Sequence, residues 1–166
     1  LRVLEASRLE TTRLLVEAMA ASATPPGVLI NASAIGFYGT SATARFVESS
    51  PAGGDFLASL CQRWEQAAAA APAGTRVVSV RIGIVLAADG GALGKMLPVF
   101  RAGFGGPIGS GQQWMSWIHR TDLCALLQQA LVDDSWSGVV NAVAPEPASM
   151  ILPSIGFSLA VSGMMM

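Results

Sequence analysis

Charge is scarce in this chain: Asp, Glu, Lys and Arg make up 13% of 166 residues, with 10 basic side chains against 11 acidic ones. No basic run stands out, so the electrostatic footprint of a nucleic-acid binder is missing. Reactive side chains are rarer still, with one His, one Tyr and 2 Cys. Cys61 and Cys124 sit among apolar helix formers with no CxxC partner and no nearby His. That argues against a metal centre or disulfide and for buried thiols in a reducing compartment. The apolar end ILPSIGFSLAVSGMMM contains Pro153 and Gly156 and falls short of the roughly 20 residues a bilayer demands. Glu5, Arg8, Glu10 and Arg13 interrupt any signal-like run at the start, so neither an anchor nor secretion is expected. Gly at n, n+2 and n+5 never occurs, and the Gly-rich phosphate turn of a dinucleotide fold is absent with it.

What is present fits one soluble, well-buried domain: 52% of the residues are hydrophobic and the mean hydropathy is +0.51. Helical and extended patterns alternate. A helix is expected over about 2–22, a strand over 27–33, then a long loop to Gly54 and a helix over 55–71. That helix sets Leu57, Leu60, Cys61 and Trp64 on one face. RVVSVRIGIVL (76–86) reads as one strand buried on both faces. A helix ALGKMLPVFRAG follows, bent or ended near Pro98. The loop 103–113, a strand WMSWI, a helix over 121–132 capped by Thr121 with Asp122 in its first turn, and a strand GVVNAV complete the order. Such alternation implies βαβ crossovers and a parallel sheet.

Two stretches concentrate chemistry. GSGQQWMSWIHRTD (109–122) holds two of the four Trp and the single His. His119 is a candidate to carry a proton, as histidine commonly does in catalysis, or to serve as a structural strand-end group. Trp114 and Trp117 are expected to share one strand face, as an aromatic wall for a planar ligand or as core. GGPIGSG before them reads as a mobile substrate loop or a structural turn. In NASAIGFYG (31–39), Ser33 ends a strand, where its hydroxyl either reaches a ligand or satisfies the turn.

This second stretch resembles the extended branch of the short-chain dehydrogenase/reductase superfamily, in which a Ser-containing strand end runs into Tyr-Gly, here Tyr38 and Gly39. Further stretches are similar to an atypical subgroup, the bacterial and plastid "epimerase family" proteins: SRLETTRLLVEA (7–18), FLASLCQRWE (56–65), RIGIVLAADGGALGKMLP (81–98), GGPIGSGQQWMSWIH and GVVNAVAPEP (138–147). The resemblance implies a partial Rossmann-like, doubly wound parallel α/β sheet. It would comprise the C-terminal half of the nucleotide-binding domain plus part of the substrate region, over 1–148, with a divergent apolar tail at 149–166. The Gly-rich half would lie upstream, and the chain would be a fragment, inactive alone.

The implied function is that of an NAD(P)-linked oxidoreductase or isomerase acting on a small molecule, or a non-catalytic dinucleotide sensor. The superfamily's Tyr-x-x-x-Lys pair cannot form, because Leu57 and Cys61 occupy its places and the only Tyr and Lys, Tyr38 and Lys95, lie far apart. The subgroup lacks that pair too. Ser33, His119 and Tyr38 become the candidates for chemistry; Ala32, Ser33, Arg81, Gly83 and Ile84 for cofactor contact; Lys95, Trp114 and Trp117 for substrate. Gly83 would offer its backbone to the cofactor or simply allow close packing. Met115 stands where nucleotide-sugar enzymes of the branch carry Arg, which counts against such substrates. Self-association through an open sheet edge and a cytoplasmic or plastid-stromal location are also expected.

Overall fold

A computed structural model of the protein describes residues 2–106 and 110–149. Two compact units share the chain. Among the described residues, those up to Gly83 together with Thr121–Ala142 form the first, and those of 84–120 together with 143–149 form the second. The tail from 150 onward and the loop centre at 107–109 lie outside the described residues.

The first unit is built on three parallel strands, β1 (Val28–Ala34), β2 (Arg76–Ile82) and β6 (Gly138–Ala142), in the order β1-β2-β6. Residues paired in register share a face of the sheet. One face therefore carries Leu29, Asn31 and Ser33 beside Val77, Ser79 and Arg81, with Val139 and Asn141 completing it. Helices α2 (Thr11–Ala20) and α3 (Phe56–Ala69) cover this face, through a core of Val16, Met19, Leu29 and Ala68 with Ala71 and Val77 packed on it. On the other face Val78 and Val80 are fully buried. There the Arg76 guanidinium donates to the carbonyls of Ala130 and Trp136, each at 2.8 Å. This places a cation at the carbonyl-rich end of α5 (Arg120–Val132). β2 is thus covered on both sides, as its Val-rich run implies. β1 is an edge strand, and its Ala32 is exposed. The arrangement is a Rossmann-like parallel α/β half-sheet.

Several boundaries differ from the expected ones for local reasons. The first helix is α1 (Arg2–Glu5), a π turn (Ala6–Glu10) whose Arg8 lies 5.5 Å from the Trp64 ring centroid, and then α2. Helix α3 starts where Asp55 accepts the Ala58 N–H at 2.8 Å. Leu57 is 51% exposed rather than buried with Leu60 and Cys61. A crossover helix runs antiparallel to its strands, so the first turn of α3 lies at their C-terminal edge, past the layer that would cover Leu57.

In the second unit β3 (Ile84–Ala87) pairs in parallel with β5 (Trp117–His119), and β4 (Trp114–Met115) pairs antiparallel with β7 (Ala148–Ser149). Hence neither RVVSVRIGIVL nor WMSWI is a single strand. The Gly83 N–H donates to Ala142 at 3.1 Å, while the next amide, Ile84, donates to Ser116 at 2.9 Å. Adjacent amides enter different sheets, and the strand must break between them. Trp114 and Trp117 likewise do not share a face. A spacing of three sends extended side chains to opposite sides, and here the two residues belong to different pairings. Helix α4 (Gly91–Arg101) continues through Pro98 rather than ending there, without the hydrogen bond that the missing Pro98 N–H would make. Helix α5 begins at Arg120, so Thr121 is inside its first turn with Asp122 rather than capping it.

Candidate functional site at the strand ends

Register alone sets Ser33, Arg81 and Asn141 side by side across the C-terminal ends of β1, β2 and β6. A lone Arg in an apolar strand needs a partner, because a buried charge without one is costly. Helix α3 supplies it. Arg81 Nε and Nη2 donate to the two Glu65 carboxylate oxygens, each at 2.8 Å, and the Ser33 hydroxyl donates to Glu65 Oε1 at 2.6 Å. The ion pair is well shielded, with side chains 3% and 12% exposed. Burial alone would lower the Arg81 pKa, but the bonds to Glu65 and Tyr38 outweigh it and raise the pKa, so the guanidinium stays charged.

The chain leaving β1 folds back on this pair. A 3-10 turn (Ile35–Tyr38) brings the Tyr38 hydroxyl to accept from Arg81 Nη1 at 2.9 Å and donate to Asn141 Oδ1 at 2.7 Å. The Arg81 guanidinium carbon lies 3.3 Å from the Phe37 ring centroid, and Tyr38 stacks on Phe46 at 5.1 Å. Gly39 adopts a φ of 72°, and a Cβ on Gly53 would come within 2.8 Å of the Gly39 main chain. Both positions need glycine. Beneath the network Cys61 faces Ser33 and the Ala34 backbone, and burial pushes its thiol pKa up.

Of the residues singled out from sequence, Ser33, Tyr38 and Arg81 are therefore joined in one buried cluster, with Gly83 just beyond it on the chain. Ile84, Lys95, Trp114, Trp117 and His119 belong to the second unit. There Ile84 and Trp114 are exposed, Lys95 lies on the exposed side of α4, and His119 is half-buried opposite Leu86. The Trp117 indole N–H donates to the Glu146 carbonyl at 3.1 Å. The loop GGPIGSG lies partly outside the described residues. Among the described residues no cluster of three His, Cys, Asp or Glu side chains could hold a metal.

Sequence reasoning missed Glu65, Asn141, Glu48 and Phe46. Two signals were available: Asn141 is a polar residue inside the strand GVVNA, and Glu65 stands one turn after Cys61 on the buried stripe of α3. The contacts of Glu48 and Phe46 arise from a loop and left no periodic trace.

Fit to a dinucleotide can be judged at the strand ends. Ala32, Ala34 and Gly83 are small there and would leave backbone open to a flat ring, whereas nothing in the chain offers the Gly-rich turn that holds a pyrophosphate. Among the described residues Asn31 Nδ2 is the one buried side-chain polar atom with no partner, and it lies three residues before the end of β1, on the face covered by helices. The chain thus fits part of such a ligand.

No protein-family model matches the chain. It is 51% identical over 125 residues to the Arabidopsis thaliana epimerase family protein SDR39U1 homolog, chloroplastic, covering 75% of this chain and 36% of that protein. The crystal structure of human epimerase family protein SDR39U1 (isoform 2) with NADPH superposes with a TM-score of 0.83 at 44% identity, over 87% of this chain and 50% of that one. A nucleoside-diphosphate sugar epimerase from Corynebacterium glutamicum gives a TM-score of 0.80 at 40% identity, over 98% and 35%. The chain spans about half the length, or less, of the curated relatives it matches. Over the span it covers, the chain belongs to the epimerase family of atypical short-chain dehydrogenases/reductases that includes SDR39U1.

Proposed function

We propose that this chain forms the substrate-side part of an NAD(P)-linked oxidoreductase or isomerase acting on a small molecule without a Tyr-x-x-x-Lys pair. The observation that carries the reading is the likeness to the NADPH-bound human relative, joined to the cluster at the C-terminal ends of parallel strands, where ligands of open α/β sheets bind. NADP and NAD both suit the strand ends. The Ser33 and Tyr38 hydroxyls, engaged by Glu65 and Asn141, hold those ends in place, and the strand-end backbone near Ala32, Gly83 and Ile84 meets the cofactor. His119 then becomes the leading proton carrier, with Lys95, Trp114 and Trp117 on the substrate side.

The engaged hydroxyls also favour a second reading, a dinucleotide-binding sensor that has kept the fold and lost turnover. Among the described residues no helix is long and apolar enough to cross a membrane; of the plastid-stromal and cytoplasmic locations, the chloroplastic relative supports the first.

Two measurements test this. NADPH fluorescence titration of the 166-residue chain should show no micromolar saturation, since the pyrophosphate turn is missing; the same titration after fusion to the Gly-rich half of the human relative should saturate. Failure of the fusion to bind NADPH would sink the cofactor reading. Comparing the fused wild type with His119→Ala on a panel of carbonyl and hydroxyl substrates separates enzyme from sensor: binding without any turnover favours the sensor.

A further inference from the structure

Residues 39–53 form a closed loop whose two ends touch. The Gly53 N–H donates to the Phe37 carbonyl at 2.9 Å, and Gly53 lies so close to Gly39 that a Cβ has no room. Inside the loop the chain bonds to itself. Ser41 Oγ accepts from the Thr43 and Ala44 amides at 3.3 and 3.0 Å, while Val47 and Ser50 bond reciprocally at 2.9 and 2.8 Å. Residues 40–49 are exposed throughout. This is the anatomy of an Ω-loop, a compact unit hinged at its base.

Beyond that base, two residues tie the loop to the sheet. Phe46 stacks on Tyr38. Glu48 does more: its carboxylate accepts the Asn141 N–H at 2.9 Å and its carbonyl accepts from Arg81 Nη1 at 3.2 Å. One exposed residue thereby fills two donors on neighbouring strands, β2 and β6. The glycine at 39 with its positive φ provides a hinge that non-glycine residues adopt with difficulty.

We propose that the loop 39–53 is a strap latched shut by Glu48, and that its opening as a unit bares Tyr38 and Arg81 at the C-terminal edge of the sheet. Release of Glu48 vacates two donors, Arg81 Nη1 and the Asn141 amide, beside the Tyr38 hydroxyl. The opened edge is therefore built for a carbonyl or carboxylate oxygen, which the Glu48 oxygens mimic when the strap is closed. The device does not depend on the dinucleotide reading, and it is tested with no cofactor present, so either can fail without the other.

Tyr38 is the chain's single tyrosine and is 7% exposed, so nitration by tetranitromethane, read by peptide mass on the full chain, reports strap opening. Cys61 is 5% exposed beneath the network and reports general unfolding when its thiol reaction is followed in parallel. Glu48→Ala should speed Tyr38 nitration about tenfold, the scale expected for loss of one good hydrogen bond, while Cys61 reacts as slowly as in the wild type. Glu48→Gln keeps an acceptor oxygen and should nitrate at close to the wild-type rate. Equal nitration in wild type and Glu48→Ala overturns the latch. So does joint acceleration of Tyr38 and Cys61, or a Glu48→Gln rate matching that of Glu48→Ala.

Discussion

Two Arg–carboxylate forks of nearly the same geometry sit in the two units. Arg81 grips Glu65 through two bonds of 2.8 Å with the side chains 3% and 12% exposed. Arg120 grips Asp89 through bonds of 2.8 and 3.0 Å with 57% and 65% exposed. Distance does not separate them; solvent does. In the first, removing one partner strands a charge among apolar strands and helices. In the second, water replaces whatever is removed.

The comparison breaks most directly by truncating the buried fork. Glu65→Ala should destabilise the chain by about 3 kcal/mol or more in urea unfolding, the scale for an orphaned buried charge. An effect below about 1 kcal/mol would mean that water reaches the pair. Next in size, Gly53→Ala forces a Cβ against the Gly39 main chain and should cost about 2 kcal/mol; a neutral outcome would show that the strap base yields freely. Tyr38→Phe deletes a hydroxyl bonded to Arg81 and Asn141 and should cost about 1–2 kcal/mol, measured in the same way.

The exposed fork sets the lower end of the series. Hydrogen bonds from Arg120 hold the Asp89 carboxyl below the usual carboxylate range. A depressed pKa contributes stability above the unfolded value and loses it as pH falls through the folded one. Since Asp89 is largely exposed, Asp89→Asn should leave the neutral-pH melting temperature unchanged and alter only low-salt acid melting. A clear loss at neutral pH and moderate salt would show that exposure was a poor guide.

Much of the fold was legible because periodicity reports which faces are buried. The Val-rich run of β2, a helix starting near Asp55 and the alternation of helices with strands all appear in the structure. What escaped was decided by partners distant in the chain. Nothing local in RIGIV reveals that Gly83 and Ile84 bond into different sheets, nor in WMSWI that Ser116 divides two pairings. At the site, Ser33 stood out as a hydroxyl at a strand end, whereas Tyr38 and Arg81 were reached through the family resemblance. Glu65 and Asn141, 16 residues before Arg81 and 103 after Tyr38 respectively, come together only through the βαβ crossover and the strand register. Glu48 is set by loop closure, which carries no repeat to read.

The Arg81–Glu65 pair is the element that holds the strand ends, and a double-mutant cycle measures that directly. Arg81→Ala, Glu65→Ala and the double variant, followed by urea unfolding, should give a coupling free energy of about 2 kcal/mol or more, against none for the same cycle on Arg120 and Asp89. Equal, negligible coupling in both forks would contradict it.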